Sequence, residues 1–213
     1  SSDLADALTV FDIVAGDFEH NSDAQLQAVA AACITELLGD AASMHEIRWQ
    51  LQSDGTHLLI AAIARAHLEL LEAAAARHGL RRASVEPDFC LQWNRHAPAA
   101  THGTAVFAVA SGQDAVIACV CEGAATAISN GAWYTGSASA RGASAGDRSR
   151  LGHALSTVGS DQASLLDIRL ARLLASMGLD PVAATDMVLV APSWASSKVS
   201  PRWTVVNREA VSA

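Results

Sequence analysis

The period of the hydrophobic pattern changes several times along the chain, and each change marks an element. Ala7 to Val14 has the composition of a strand, and Ser22 or Asp23 can cap a helix in which Leu26, Val29, Ile34 and Leu37 recur up to Gly39. Met44 to Leu51 alternates imperfectly, and Ser53-Asp54-Gly55-Thr56 predicts a hairpin turn into the next strand. That strand, Leu58 to Ile63, is an unbroken apolar run, the pattern of a strand buried on both faces. From Arg65 to His78 the residues Leu68, Leu71 and Ala75 fall at helical spacing, with Arg77 and His78 in the last turn, where a cation complements the macrodipole. Gly79 predicts a left-handed helix end, with Leu80 folding back on the last turn. Arg81 to Val85 then reads as a strand, and Pro87 suits the first turn of a short helix over Phe89 to Asn94.

Beyond a loop at Ala97 to His102 come Thr104 to Ala110, Ala115 to Cys121 and Ala124 to Ser129, divided by Ser111-Gly112-Gln113-Asp114 and Glu122-Gly123. This predicts an antiparallel meander of three short strands. From Trp133 to Asp147 the chain turns to Gly, Ser and Ala, too small to pack, and is expected to be a mobile loop. Structure is expected to resume near Arg148, with a helix over Ala163 to Met177, a buried strand over Met187 to Val190 and an edge strand over Trp203 to Val206. Two mixed lobes meeting near Ala97 follow. Three hairpin-linked strands, a helix and another strand open a ribonuclease-H-like unit, so the second lobe is assigned that plan.

Composition narrows the function classes. With 213 residues, 51% of them hydrophobic, the chain can bury one sizeable core or two modest lobes. Its longest apolar run, Leu58 to Ala64, falls far short of the roughly 20 residues that span a bilayer, and no basic-then-apolar signal opens the chain, so direct membrane insertion is not expected. A formal charge of −8 and a pI near 5.4 argue against nucleic acid, and Arg81 with Arg82 and Arg148 with Arg150 do not make a basic surface. Cys33, Cys90, Cys119 and Cys121 have apolar neighbours and no framework spacing, which points to a reducing cytoplasm. The chain opens on Ser1-Ser2 rather than Met, so residues upstream in the natural protein are expected.

The region from His57 to Trp133 resembles the actin-like proteins of type IV pilus and type II secretion assembly, the PilM and GspL type. The residues that carry the likeness are the strand Leu58 to Ala64, the helix ending in Gly79-Leu80, a strand ending at Glu86-Pro87, the helix Phe89 to Asn94, and the meander Thr104 to Ser129. The resemblance implies an α/β fold with mixed sheets: two ribonuclease-H-like lobes, the first (1–96) truncated and carrying an inserted α-ββ subdomain at about 22–63, the second at 97–213. Actin-like ATPases bind ATP and Mg²⁺ through two phosphate loops and an adenosine loop, each glycine-rich. Here no DxG segment opens the chain, no acid precedes Gly112 in its strand, and the strand ending at Val190 runs into Ala191-Pro192-Ser193. A proline removes a phosphate-cradling N–H. The expectation is therefore that ATP and Mg²⁺ are disfavoured, with no catalytic, cofactor or metal residue assigned.

Other constellations are weaker. Gly142-Ala143-Ser144-Ala145-Gly146 matches a nucleophile elbow in letters, yet loop material precedes it where a strand is needed. Cys119 and Cys121 share a strand face without further ligands nearby, which suits buried packing better than metal. His67 and His78 are too far apart on one helix to share a metal. Asp114, Asp161, Asp167 and Asp186 are the carboxylates a metal-dependent enzyme on this scaffold would need to converge. Trp194 and Trp203 flank a Ser, Lys and Pro-rich segment and are the candidate partner-binding residues, as exposed indoles.

The resemblance implies a non-catalytic scaffold, cytoplasmic and peripheral to the inner membrane through its partners. It would bind the cytoplasmic segment of a single-span inner-membrane assembly protein by strand addition or in a cleft, and it admits a homodimer. The alternatives are a nucleotide-gated ATPase of the same assembly and a small-molecule enzyme on a ribonuclease-H-like fold.

Overall fold

A computed structural model describes residues 2–4, 8–80, 85–96, 103–133, 164–180, 184–197 and 199–207. In chain order the elements are β1 (Ser2–Leu4), β2 (Thr9–Ala15), α1 (Asp23–Leu38), a 3-10 turn (Gly39–Met44), β3 (His45–Leu51), β4 (His57–Ala64) and α2 (Arg65–Arg77). There follow β5 (Val85–Pro87), α3 (Asp88–His96), β6 (Thr104–Ser111), β7 (Asp114–Cys121), β8 (Ala124–Ala132) and α4 (Leu165–Ser176). The last are β9 (Ala184–Ala191), a 3-10 turn (Ser193–Ser197) and β10 (Thr204–Asn207). The fold is mixed α/β. The predicted loop at 97–102, most of the predicted loop after Trp133, and the Gly142 to Gly146 motif lie outside the described residues, as do Arg81 to Ser84 of the predicted strand.

The larger sheet has the order β10-β9-β6-β7-β8. Two hairpins make β6, β7 and β8 antiparallel, whereas β9 joins β6 on its other side in parallel and β10 continues in parallel. A parallel join needs a crossover, and α4 lies between β8 and β9 in sequence. Ser164 caps α4, accepting from Asp167 N at 3.2 Å. Every residue from Ala105 to Ala110 and from Ala115 to Val120 is buried, so β6 and β7 are covered on both faces. One face carries Val106, Ala108, Ile117 and Cys119 against Leu166, Leu170 and Leu174 of α4. The other carries Phe107, Val109, Val116 and Ala118 against Phe11 and Phe89.

A second, antiparallel sheet has the order β2-β4-β3, with α1 on one face. A capping box opens α1: Ser22 Oγ accepts from Gln25 N, and Ser22 N donates to Gln25 Oε1 at 2.8 Å. Leu26, Ala30 and Ile34 of α1 meet Leu58, Ile60 and Ala62 of β4. Because β2 is a strand of this sheet, the layer takes in residues 9–64. Its alternate residues contact the larger sheet: Phe11 joins the Phe107 face, and Asn130 Nδ2 donates to Thr9 O at 3.1 Å. Among the described residues, β1 pairs in parallel with β5 alone.

Three expectations are corrected. β4 is not buried on both faces; Leu58, Ile60 and Ala62 are buried, while Leu59, Ala61 and Ile63 are only half-buried because their side is covered in part. Pro87 ends β5 instead of entering α3, so its fixed φ serves the strand's last residue. Trp133 does not open a solvated loop; it is buried at 2% exposure. The end of α2 forms as expected in its backbone: Gly79 holds φ +66°, Gly79 N donates to Ala76 O, and Leu80 N donates to Ala75 O at 2.9 Å. The Leu80 side chain, however, stays 66% exposed.

Replacing Gly79 with Ala puts a Cβ on a residue with positive φ but into open space, so the cost is backbone strain alone. Thermal unfolding of Gly79→Ala is expected to show a loss of about 1 kcal/mol. An unchanged melting temperature would refute the left-handed helix end.

Candidate functional site

The turn between β6 and β7 is where the resemblance would place a second phosphate loop. Gly112 there has φ +61°, as a tight turn requires. Both carbonyls of the turn are engaged by one residue: Trp133 Nε1 donates to Gly112 O at 3.2 Å, and Trp133 N donates to Gln113 O at 3.0 Å. The indole itself packs among the residues that α4 covers. No acid precedes the glycine in β6, and Asp114 follows it. Beyond β9 the chain passes through Pro192 into a 3-10 turn, with Ala195 N donating to Pro192 O. The residues at these turns do not fit a magnesium-phosphate group.

Arg169 of α4 braces the same corner. Its Nη1 donates to Gly131 O at 2.6 Å and Ala115 O at 3.1 Å, and its Nη2 to Ser129 O at 2.9 Å. Burial holds its pKa below the usual arginine range, and the charge of Asp114 partly offsets that. Carbonyl dipoles thus satisfy the guanidinium and fasten the end of β8 to α4.

Beside this corner, a cleft of about 540 Å³ opens between the two sheets. Val10, Phe11, Leu37 and Leu38 make its apolar wall, and Asp114 and Asn130 its polar one. Leu37 is 53% exposed although it sits on a helix whose other leucines pack inward. Thr9 also lines the cleft, with a buried hydroxyl that has no hydrogen-bond partner.

A second groove, about 660 Å³, runs between α1 and the outer edge of β3. Gln27, Ala31 and Thr35 border it at helical spacing, and Glu46, Ile47 and Arg48 border it along the strand. Arg48 Nη2 lies 2.8 Å from Glu46 Oε1, and Arg65 Nε lies 3.8 Å from Glu46 Oε2. These are surface pairs in open solvent, worth about 0–1 kcal/mol each.

The residues singled out from sequence are not gathered in one place. Trp203 is buried at 5% exposure and gives its N–H to Asp167 Oδ1 at 2.9 Å, so it offers no exposed indole. Trp194 lies in the 3-10 turn after β9; its side chain is outside the described residues. Asp167 is taken up by Ser164, Ser200 and Trp203. Asp114 pairs across the β6–β7 turn, whereas Asp186 sits beside Ala105 at the opposite end of β6, and Asp161 lies outside the described residues. Among the described residues no group of three metal-ligating side chains exists. Cys119 is buried, and burial first, then the neighbouring Cys121, pushes its thiol up to about 12.

Arg169 and the capping role of Trp133 escaped sequence reading. Arg169 is one of two arginines among the leucines of α4, and only this weak signal points to it; nothing local marks the latter, whose partners are about twenty residues away.

No helix among the described residues is long and apolar enough to cross a membrane. No family description and no curated protein matches the sequence. Solved structures similar to the chain include the cytoplasmic domain of EpsL, an inner-membrane component of the type II secretion system of Vibrio cholerae. The identity is 10% and the TM-score 0.44, over 97% of this chain and 64% of that one. Another is a Bacteroides thetaiotaomicron protein with an actin-like ATPase fold and unknown function, at 7% identity and TM-score 0.47, over 95% of this chain and 66% of that one. The chain thus spans slightly less than two thirds of each. Such scores carry no functional argument, and the fold described above rests on the chain's own strand order.

Trp133→Phe removes the donor to Gly112 O while keeping an aromatic ring, and chemical denaturation should show a loss of about 1 kcal/mol. Stability equal to that of the unchanged protein would mean the indole N–H does not hold the turn. For Cys119 the folded-state pKa is raised, so its contribution is complete below the unfolded value near 8.5 and is lost as pH rises toward 12. Stability should fall across that alkaline window less steeply in Cys119→Ala, and equal slopes would contradict the buried-thiol account.

Proposed function

We propose that the chain is a non-catalytic, actin-like scaffold on the cytoplasmic face of a type IV pilus or type II secretion platform. It holds the cytoplasmic segment of a single-span membrane partner in the cleft between its two sheets. The observation that carries the non-catalytic part is the β6–β7 turn, where no acid precedes Gly112 in β6 to position a metal. Support for the actin-like part comes from the order β10-β9-β6-β7-β8: three antiparallel strands followed by parallel strands on the far side of the first, as a ribonuclease-H-like lobe requires. The cleft supplies an apolar wall for an anchor side chain, with Leu37 at its mouth and Asp114 placed to favour a cationic neighbour.

Two measurements test the reading. ATP with Mg²⁺ should leave the melting temperature unchanged, because a ligand that binds only the native state must raise it; a rise at millimolar nucleotide would favour a nucleotide-gated ATPase instead. The neighbouring genes should encode a single-span membrane protein whose cytoplasmic segment, as a synthetic peptide, binds this chain. Leu37→Asp should weaken that binding about tenfold or more by removing an apolar contact. Neighbours that encode only metabolic enzymes, or binding indifferent to Leu37→Asp, would sink the proposal.

A further inference from the structure

Among the described residues, β3 has a partner on one side only. It pairs with β4 along its whole length, and its other edge faces the groove beside α1. Such an edge presents a row of backbone donors and acceptors that either stay in water or pair with another strand. We propose that β3 pairs edge to edge with β3 of a second copy of this chain, antiparallel and centred on Ile47.

The register follows from charge. In an antiparallel pair related by a two-fold axis, directly opposite residues must lie on the same face, so the axis passes midway between the two copies of one residue. Centred on Glu46 or on Arg48, the strand would set two like charges directly opposite each other, which disfavours pairing. Centred on Ile47, Glu46 of each copy stands opposite Arg48 of the other, with Ile47 facing Ile47 and His45 facing Trp49. Both charges are available for this. Arg48 is the most exposed of the bridging side chains, at 79%, and its present link to Glu46 is a surface pair that can be exchanged for a cross-strand one. The edge also borders open space: the groove beside it is about 660 Å³, and its longer side chains, such as Arg48 and Arg65, are well exposed. The two-fold would place both α1 helices on one face of a continuous six-stranded sheet. This interface is separate from the cleft proposed for the membrane partner, so failure of either leaves the other standing.

Charge exchange tests the arrangement. By sedimentation equilibrium the full chain should form dimers. Glu46→Arg alone and Arg48→Glu alone, each making two like-charge contacts, should raise the dimer dissociation constant about tenfold or more. The double variant Glu46→Arg with Arg48→Glu restores opposite charges at both contacts and should return the constant toward that of the unchanged chain. Circular dichroism checks that each variant is folded. Should a single variant fail to fold, Ile47→Cys gives an independent readout, because opposed cysteines at the two-fold axis should yield a covalent dimer on oxidation that the unchanged chain does not. A monomer up to the solubility limit, a double variant no better than the singles, or Ile47→Cys no more cross-linked than the unchanged chain would each overturn the proposal.

Discussion

The structure depends on the ring of Phe107, at the middle of β6. Phe89 of α3 meets it edge-on at 5.9 Å between ring centres, Trp93 at 5.4 Å, and Phe11 of β2 meets Phe89 at 5.5 Å. These contacts join two further elements to β6 of the larger sheet: α3 directly, through Phe89 and Trp93, and the smaller sheet through Phe11, which packs on Phe89. Edge-to-face pairs add about 0.5–1.5 kcal/mol each beyond the area they bury. Their arrangement matters more than that sum. Apart from the rings, the smaller sheet also lies against β8: Asn130 Nδ2 donates to Thr9 O, Gln52 accepts from Ala125 N at 3.1 Å, and Ala61 and Ile128 pack in the same cluster.

This knot places the cleft. Phe11 faces inward toward Phe107, so its neighbour Val10 faces the other side of β2, and the cleft opens where the C-terminal end of α1 passes the start of β7. On the far side of the larger sheet, Trp133 and Arg169 fix the β6–β7 turn and the end of β8. A corner fastened this way holds one end of the cleft fixed, which suits the rigid frame proposed above.

Elements whose stability comes from short-range patterning were legible in the sequence. The capping box at Ser22, the Asp54-Gly55 turn, the glycine end at Gly79 and the two β6–β8 hairpins each have local signals, and each forms as expected. What could not be read depends on partners distant in the chain. The run at Leu58 looked doubly buried because its residues are uniformly apolar, yet burial depends on what covers the second face, and that is covered only in part. Trp203 looked exposed because Ser, Lys and Pro surround it, but Asp167, thirty-six residues earlier, takes its N–H and draws the segment onto α4. The membership of β2 in the smaller sheet, and the edge this leaves on β3, likewise follow from strand order alone.

If the Phe107 knot makes the two sheets one cooperative unit, native-state hydrogen exchange will show it. The slowest amides of β2 and β4 should open with the same free energy, and the same denaturant dependence, as those of β6 and β7. Opening of the β2–β4 amides at a distinctly lower free energy, while β6 and β7 remain protected, would show two units that unfold independently and would contradict the account.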